Sequence, residues 1–418
     1  MLGGVPGNKW QLRPLSLPLQ LVLLVLAAGA GLSAFPIARS RATGNSRAAH
    51  TGSTGSTGLP ARARSPELAS DGAYIPPKTC IEVNAWDNRR LAAQTVVVPV
   101  QESDVTAVRE AVANGAGGII LFGSTAPDDL GARIASLNSA VPGQMGLLVM
   151  TDEEGGGIQR MANLVGSLPW PRDMAADWTP EEVTAEVAAV AGKMASYGVN
   201  VDLAPVVDVD GSDVAPGAAN PDGWRSFGGD TSVVTRNGIA FMKGLQAGGV
   251  IPVLKHFPGL GGASGNTDNG PAQTLPWTTL QATALPPFVE GIREGAPAIM
   301  ISNAVVPGLT QLPASLSPEA IEGELVETLH FTGLILTDSL SAGAISAAGF
   351  SVPSASVRAV EAGADMVLYG SANSQAAIAQ FYAIVSAETS AVASGTLSRA
   401  RLVSAATAAL VARNVQTC

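Results

Sequence analysis

From about residue 95 the chain alternates between short, uninterrupted apolar runs and longer stretches with apolar residues every three or four positions. The runs are TVVVPV (95–100), GGIILF (117–122), GLLVMTD (146–152), VNVDLAP (199–205), VIPVLKHF (250–257), AIMISN (298–303), LILTD (334–338) and MVLY (366–369). Each is too short for a helix and apolar on both faces, as a strand covered on both sides must be. Two of the intervening stretches carry clear helix punctuation. SDVTAVREAVANG is predicted as a helix opened by Ser103 and closed by Gly115, and TPEEVTAEVAAVAGKMASYG has Pro180 and two glutamates in its first turn and Gly198 at its stop. Eight buried strands separated by helices predict an α/β fold, a (β/α)8 TIM-type barrel forming a single catalytic domain. No Gly-x-Gly-x-x-Gly follows the first strand, which disfavours an open doubly wound sheet.

A barrel presents its chemistry at the C-terminal ends of its strands. Reading those ends gives Asp152, Asp208, Lys255 with His256, Asn303 and Asp338. After His256 and Pro258 the chain enters a loop with Gly259, Gly261, Gly262 and Gly265, which suits a mobile cover over a site. Carboxylates accept hydroxyl protons in pairs and cations donate, so this set suits a neutral, polyhydroxylated ligand. Asp208 is read as an N-cap for the helix that follows rather than as part of the site.

Charge sharpens the picture. Seven of the 24 basic residues fall in residues 1–64, which hold none of the 34 acidic ones, so the barrel itself is strongly acidic. Such a surface repels nucleic acid and anionic membranes. Lys9 and Arg13 precede the apolar run that starts at Leu21, and small residues follow it, so residues 1–34 read as a signal peptide or N-terminal anchor. Residues 35–70, rich in Ala, Arg, Ser, Gly and Thr, read as a flexible linker, which leaves 71–418 for the barrel. The expected destination is secretion or the cell envelope, with membrane contact only through that first segment. Two cysteines, Cys80 and Cys418, flank the barrel and are a disulfide candidate in an exported protein. No zinc or iron–sulfur spacing occurs.

The motifs together resemble glycoside hydrolase family 3, in the branch that removes terminal β-linked N-acetylglucosamine from bacterial cell-wall fragments. The resemblance covers roughly residues 85–412. It rests on GGIILFGS (117–124), TDEEGGGIQR (151–160), NVDLAPVVDV (200–209), RSFGGD (225–230), KHFPGLG (255–261), ASLSPEAI (314–321), LILTDSLSAGAI (334–345) and EAGADMVL (361–368). It implies an exo-acting, retaining β-N-acetylhexosaminidase with no metal or organic cofactor. Asp338 would be the nucleophile, Asp152 would hold two sugar hydroxyls, and Arg160, Arg225, Lys255 and His256 would donate to the remaining oxygens. The acid/base loop departs from the family pattern. Leu260 stands where the family has its first loop histidine, and Asn266-Thr267-Asp268 stands where it has an Asp-Ser-His dyad. His50 lies in the linker and His330 precedes strand seven, so neither replaces the missing histidine. Three readings remain open: Asp268 protonates the leaving group, Glu153 or Glu154 does so, or the acid is lost. In the last case the chain is an impaired or silent glycan-binding protein. A β-glycosidase for another sugar is a further alternative.

Overall fold

The computed structural model describes residues 80–418, which fall in one compact unit, Ile75–Cys418. The expected N-terminal segment and linker, residues 1–34 and 35–70, lie outside the described residues. Eight strands close into a barrel: β1 Val96–Gln101, β2 Gly118–Phe122, β3 Leu148–Thr151, β4 Val201–Asp202, β5 Ile251–Phe257, β6 Ala298–Ile301, β7 Leu334–Ser339 and β8 Met366–Leu368. Each is parallel to its sequence neighbour, and β8 closes on β1 through Val96 opposite Val367 and Val97 opposite Leu368. β4 is shorter than its apolar run, although the chain beyond it still bonds to β5: the Pro205 carbonyl accepts the Lys255 N–H at 3.2 Å, and Val206 bridges to Lys255.

Side chains on alternate positions fill the barrel. Val97, Ile120, Leu148, Met150, Val201, Leu203, Val253, Met300, Leu334, Leu336, Met366 and Leu368 pack together inside it, and Ala409 of the helix Arg399–Val411 joins them at the N-terminal end. Their neighbours Val96, Val98, Ile119, Leu121, Val149, Leu254, Ile299, Ile335 and Val367 face outward and pack with the surrounding helices. This period of two on both faces is why the runs read as continuously apolar.

The helix Pro180–Ser196 forms as its punctuation predicts, with a capping box between Thr179 and Glu182. The helix expected from Ser103 does not. Glu102–Val108 is a 3-10 segment broken at Asp104, followed by a short α-helix, Arg109–Ala113. Glu102 is drawn into the interior to accept the Thr125 N–H at 2.5 Å, and Ser103 makes no cap. At the chain's end Cys80 and Cys418 are joined by a disulfide with a Cα–Cα distance of 5.5 Å, and Ile81 bridges to Thr417.

Candidate active site

The alternation that fills the barrel continues to its C-terminal rim. Two positions beyond Ile120, Met150, Val253 and Leu336 come Phe122, Asp152, Lys255 and Asp338, and all four line a cavity of about 350 Å³. Strand periodicity therefore points one aromatic ring, two carboxylates and one ammonium at the same space. The chain beyond Asp152 folds into a short antiparallel pair, Glu153–Gly155 with Ile158–Gln159, which adds Glu154 and Arg160 to the wall. The turn Gly223–Arg225 adds Arg225.

These charges form one network. Lys255 Nζ lies 3.0 Å from Asp152 Oδ1 and 2.6 Å from Glu154 Oε1. Arg225 grips Glu154 with two bonds of 2.8 Å, and Arg160 Nη2 reaches Asp152 at 3.2 Å. Burial alone would raise both carboxyls. Lys255 and Arg160 outweigh it at Asp152, and Arg225 and Lys255 outweigh it at Glu154, so both are held below the usual carboxylate range. Burial opposes the charge on Lys255 too, yet Glu154 and Asp152 raise it above its ordinary value. Glu154 is thus a fixed anion that positions two cations, and it cannot supply a proton near neutrality. Glu153 fails for the opposite reason. Burial pushes it up to about 7, but it is buried outside the cavity and accepts the N–H groups of Arg160 and Met161 at 2.6 and 2.7 Å.

Asp208 is not the helix cap the sequence suggested. It is fully buried and gathers the His256 N–H, the Leu260 N–H at 2.6 Å and His256 Nδ1 at 2.6 Å. No helix starts within reach of it; the chain runs irregularly from β4 to Gly223, so the carboxylate instead ties β5 to the loop that follows. Burial, then the neighbouring Arg225, lower His256 to about 4, whereas burial raises Asp208 to about 6. Near neutrality a neutral imidazole donates Nδ1–H to the carboxylate, and its Nε2 is left with a lone pair. His256 also lines the cavity, where the sequence reading has it as a donor to the sugar.

Asp338 is the next-to-last residue of β7, with Oδ1 accepting the Ser339 N–H at 2.6 Å. Burial raises its carboxyl above the ordinary value, and the charge of Asp268 adds to the rise. Asn303 turns away from a ligand role. Its Nδ2 donates to the Ser339 carbonyl at 2.8 Å, and Ser315 donates to its Oδ1, so it braces the strand end that carries Asp338. Asp268 also lines the cavity. Its loop is held on two sides: Gly343 and Ala344 donate to the carbonyls of Asp268 and Thr267 at 3.0 and 2.9 Å, and Asn266 donates to Ala218. A Cβ at Gly343 would sit 2.7 Å from the Asn269–Gly270 peptide, so only glycine allows this contact. Leu260 packs with Ala272 and Ala304. His330 precedes β7, on the opposite side of the barrel from the cavity. Among the described residues, Asp268 and Asp338 are the two cavity carboxylates without an ion pair.

Sequence reading missed Phe122 in the cavity wall and, outside the cavity lining, the buried Asp222. Phe122 could have been found by counting two positions on from Ile120; Asp222 lies in a loop of Ala, Gly, Asn and Pro that carries no periodic signal. Asp222 is buried, and burial and the charge of Asp208 push it up to about 8.

A closed parallel barrel whose mouth sets two unpaired carboxylates over a bed of fixed ion pairs is the site of a glycosidase acting on O-glycosyl bonds. Residues 90–411 match the glycosyl hydrolase family 3 N terminal domain, and the chain belongs to that family. It is 34% identical over 362 residues to the beta-hexosaminidase LpqI of Mycobacterium tuberculosis, covering 83% of this chain and 87% of that one. A solved family 3 glycosyl hydrolase from Mycobacterium smegmatis superimposes with a TM-score of 0.69 at 36% identity, over 79% of this chain and 98% of the other. A beta-N-acetylhexosaminidase from Beutenbergia cavernae does so with a TM-score of 0.70 at 30% identity, over 78% and 98%.

Proposed function

We propose that this protein is an exo-acting, retaining β-N-acetylhexosaminidase that removes terminal β-linked N-acetylglucosamine from cell-wall-derived glycans, with Asp338 as nucleophile and Asp268 as acid/base. The observation that carries the reading is the pairing of these two carboxylates, free of cations, across one cavity. The relatives named above support the sugar, and the apolar N-terminal run supports an exported protein. Asp152, Arg160, Arg225, Lys255 and the Nε2 of His256 would hold the terminal sugar. The Asp338 carboxylate attacks the anomeric carbon while the bond to the leaving oxygen breaks and that oxygen takes the proton of Asp268. Water then gives a proton to the Asp268 carboxylate and attacks the same carbon, releasing the sugar and restoring Asp338.

The test is turnover of two aryl β-N-acetylglucosaminides, one with a good and one with a poor leaving group. Both should be cleaved, Asp338→Asn should abolish both, and Asp268→Asn should slow the poor leaving group far more. Equal slowing of both by Asp268→Asn would remove Asp268 from the acid role. Binding of N-acetylglucosamine with no turnover of either substrate would make the chain a glycan-binding protein.

A further inference from the structure

Next to the sugar cavity three side chains from distant segments converge: Asp208 beyond β4, Asp222 in the loop before Gly223, and His256 on β5. All three are buried, and one ligand-capable atom from each lies within 4.8 Å of the other two. A second observation stands apart from this clustering. Asp222 is 0% exposed, and neither of its carboxylate oxygens has a hydrogen-bond donor among the described residues. A buried carboxyl in that condition needs a proton, an ordered water or a cation to satisfy it. Asp222 does not line the sugar cavity, so it makes no direct contact with a sugar held there.

We propose that Asp208, Asp222 and His256 form a site for one borderline divalent transition ion, with Zn2+ as the type, and that filling it weakens sugar binding. The donor set decides the class of ion. One imidazole nitrogen and two carboxylate oxygens suit zinc and its neighbours, whereas calcium and magnesium demand more ligands, all of them oxygen. Tetrahedral zinc with bonds of about 2.1 Å wants its ligand atoms about 3.4 Å apart, so the three side chains need to close inward, and a water completes the shell.

The consequence for the sugar follows whichever ring nitrogen binds. Coordination at Nε2 consumes the lone pair that a neutral ring holds there. Coordination at Nδ1 displaces the proton given to Asp208 and leaves the hydrogen on Nε2, which turns the acceptor into a donor. Either way the His256 acceptor is lost. That inhibitory consequence rests on the functional reading above; the ion site itself does not.

Equilibrium dialysis of the purified full chain against Zn2+ tests the site directly. The wild type should bind one ion that Asp222→Asn binds at least tenfold more weakly or not at all. Asp222→Asn should keep its turnover in chelated buffer, and Zn2+ should raise KM several-fold in the wild type alone. No ion bound by the wild type, or equal binding by both proteins, overturns the proposal. Should Asp222→Asn fail to fold, Co2+ in the wild type decides. Visible bands of a four- or five-coordinate ion are expected, and a spectrum no different from Co2+ in buffer refutes the site. Because dialysis and absorption need no substrate, an inactive glycosidase and an absent ion site give different results.

Discussion

Replacing Glu154 by Gln tests whether the floor of the site is held by charge. Glu154 has a side chain 1% exposed and receives three charge-assisted hydrogen bonds, two from Arg225 at 2.8 Å and one from Lys255 at 2.6 Å. An amide is nearly the same size and keeps one acceptor, but it leaves Arg225 without an ion-pair partner and Lys255 with Asp152 alone. Removing one partner of a buried pair costs about 3–5 kcal/mol, because the remaining charge stays desolvated. For a barrel of this size the unfolding entropy is about 0.7 kcal/mol per kelvin, so Tm should fall by about 4–7 °C in a calorimetric scan. The kinetic signature should differ from that of a lost acid. KM should rise for both aryl glycosides, because Arg225 and Lys255 lose their positions, and the ratio of rates between good and poor leaving groups should stay as in the wild type. An unchanged Tm would refute the anchoring role. A selective loss with the poor leaving group would return Glu154 to candidacy as the acid.

The other predictions concern proton equilibria and the acid loop. Burial and the charge of Asp268 both raise Asp338, so kcat/KM should climb as pH rises through that raised value. With an activated aryl glycoside, Asp268→Asn should move this limb to lower pH, and an unmoved limb would mean that the two carboxylates do not sense each other. Gly343→Ala sets a methyl against the Asn269–Gly270 peptide and should displace Asp268, slowing the poor leaving group more than the good one with a small change in Tm. Far from the site, burial pushes Glu388 up to about 8 from an ordinary 4.5. The folded state keeps a proton that the unfolded chain releases, so the contribution is fully present below the unfolded value and lost as pH rises through the folded one. Over that window it can reach about 5 kcal/mol, and Glu388→Gln should flatten the decline of Tm between pH 5 and 8 as followed by circular dichroism.

How much of this was legible in the chain depends on the range of the interactions. Strand identity was legible because a barrel strand is buried on both faces, and local composition records that directly. Asp152, Lys255 and Asp338 were legible for a related reason: they continue the inward parity of Met150, Val253 and Leu336 into the first polar layer. The helix from Ser103 was misread because a tertiary contact, the Glu102 carboxylate on the Thr125 N–H, tightened its first turn. Asp208 was misread because a strand-end aspartate looks the same whether it caps a helix or ties down the loop after β5.

The site owes its shape to that second kind of information. Lys255 and Arg225 occur 30 residues apart and share a carboxylate that lies about 100 and 71 residues away in sequence, respectively. No local pattern encodes this meeting; only closure of the barrel brings β3, β5 and the Gly223–Arg225 turn to one rim. The same closure holds the loop that carries Asp268 at the rim of the cavity. Asp268 is set by backbone bonds from Gly343 and Ala344, just beyond the strand that carries Asp338. Those bonds depend on the carbonyls of Thr267 and Asp268, not on their side chains. The loop can therefore exchange the side chain it presents without losing its place at the rim beside Asp338, and the leaving-group series tests Asp268 in the proposed acid role.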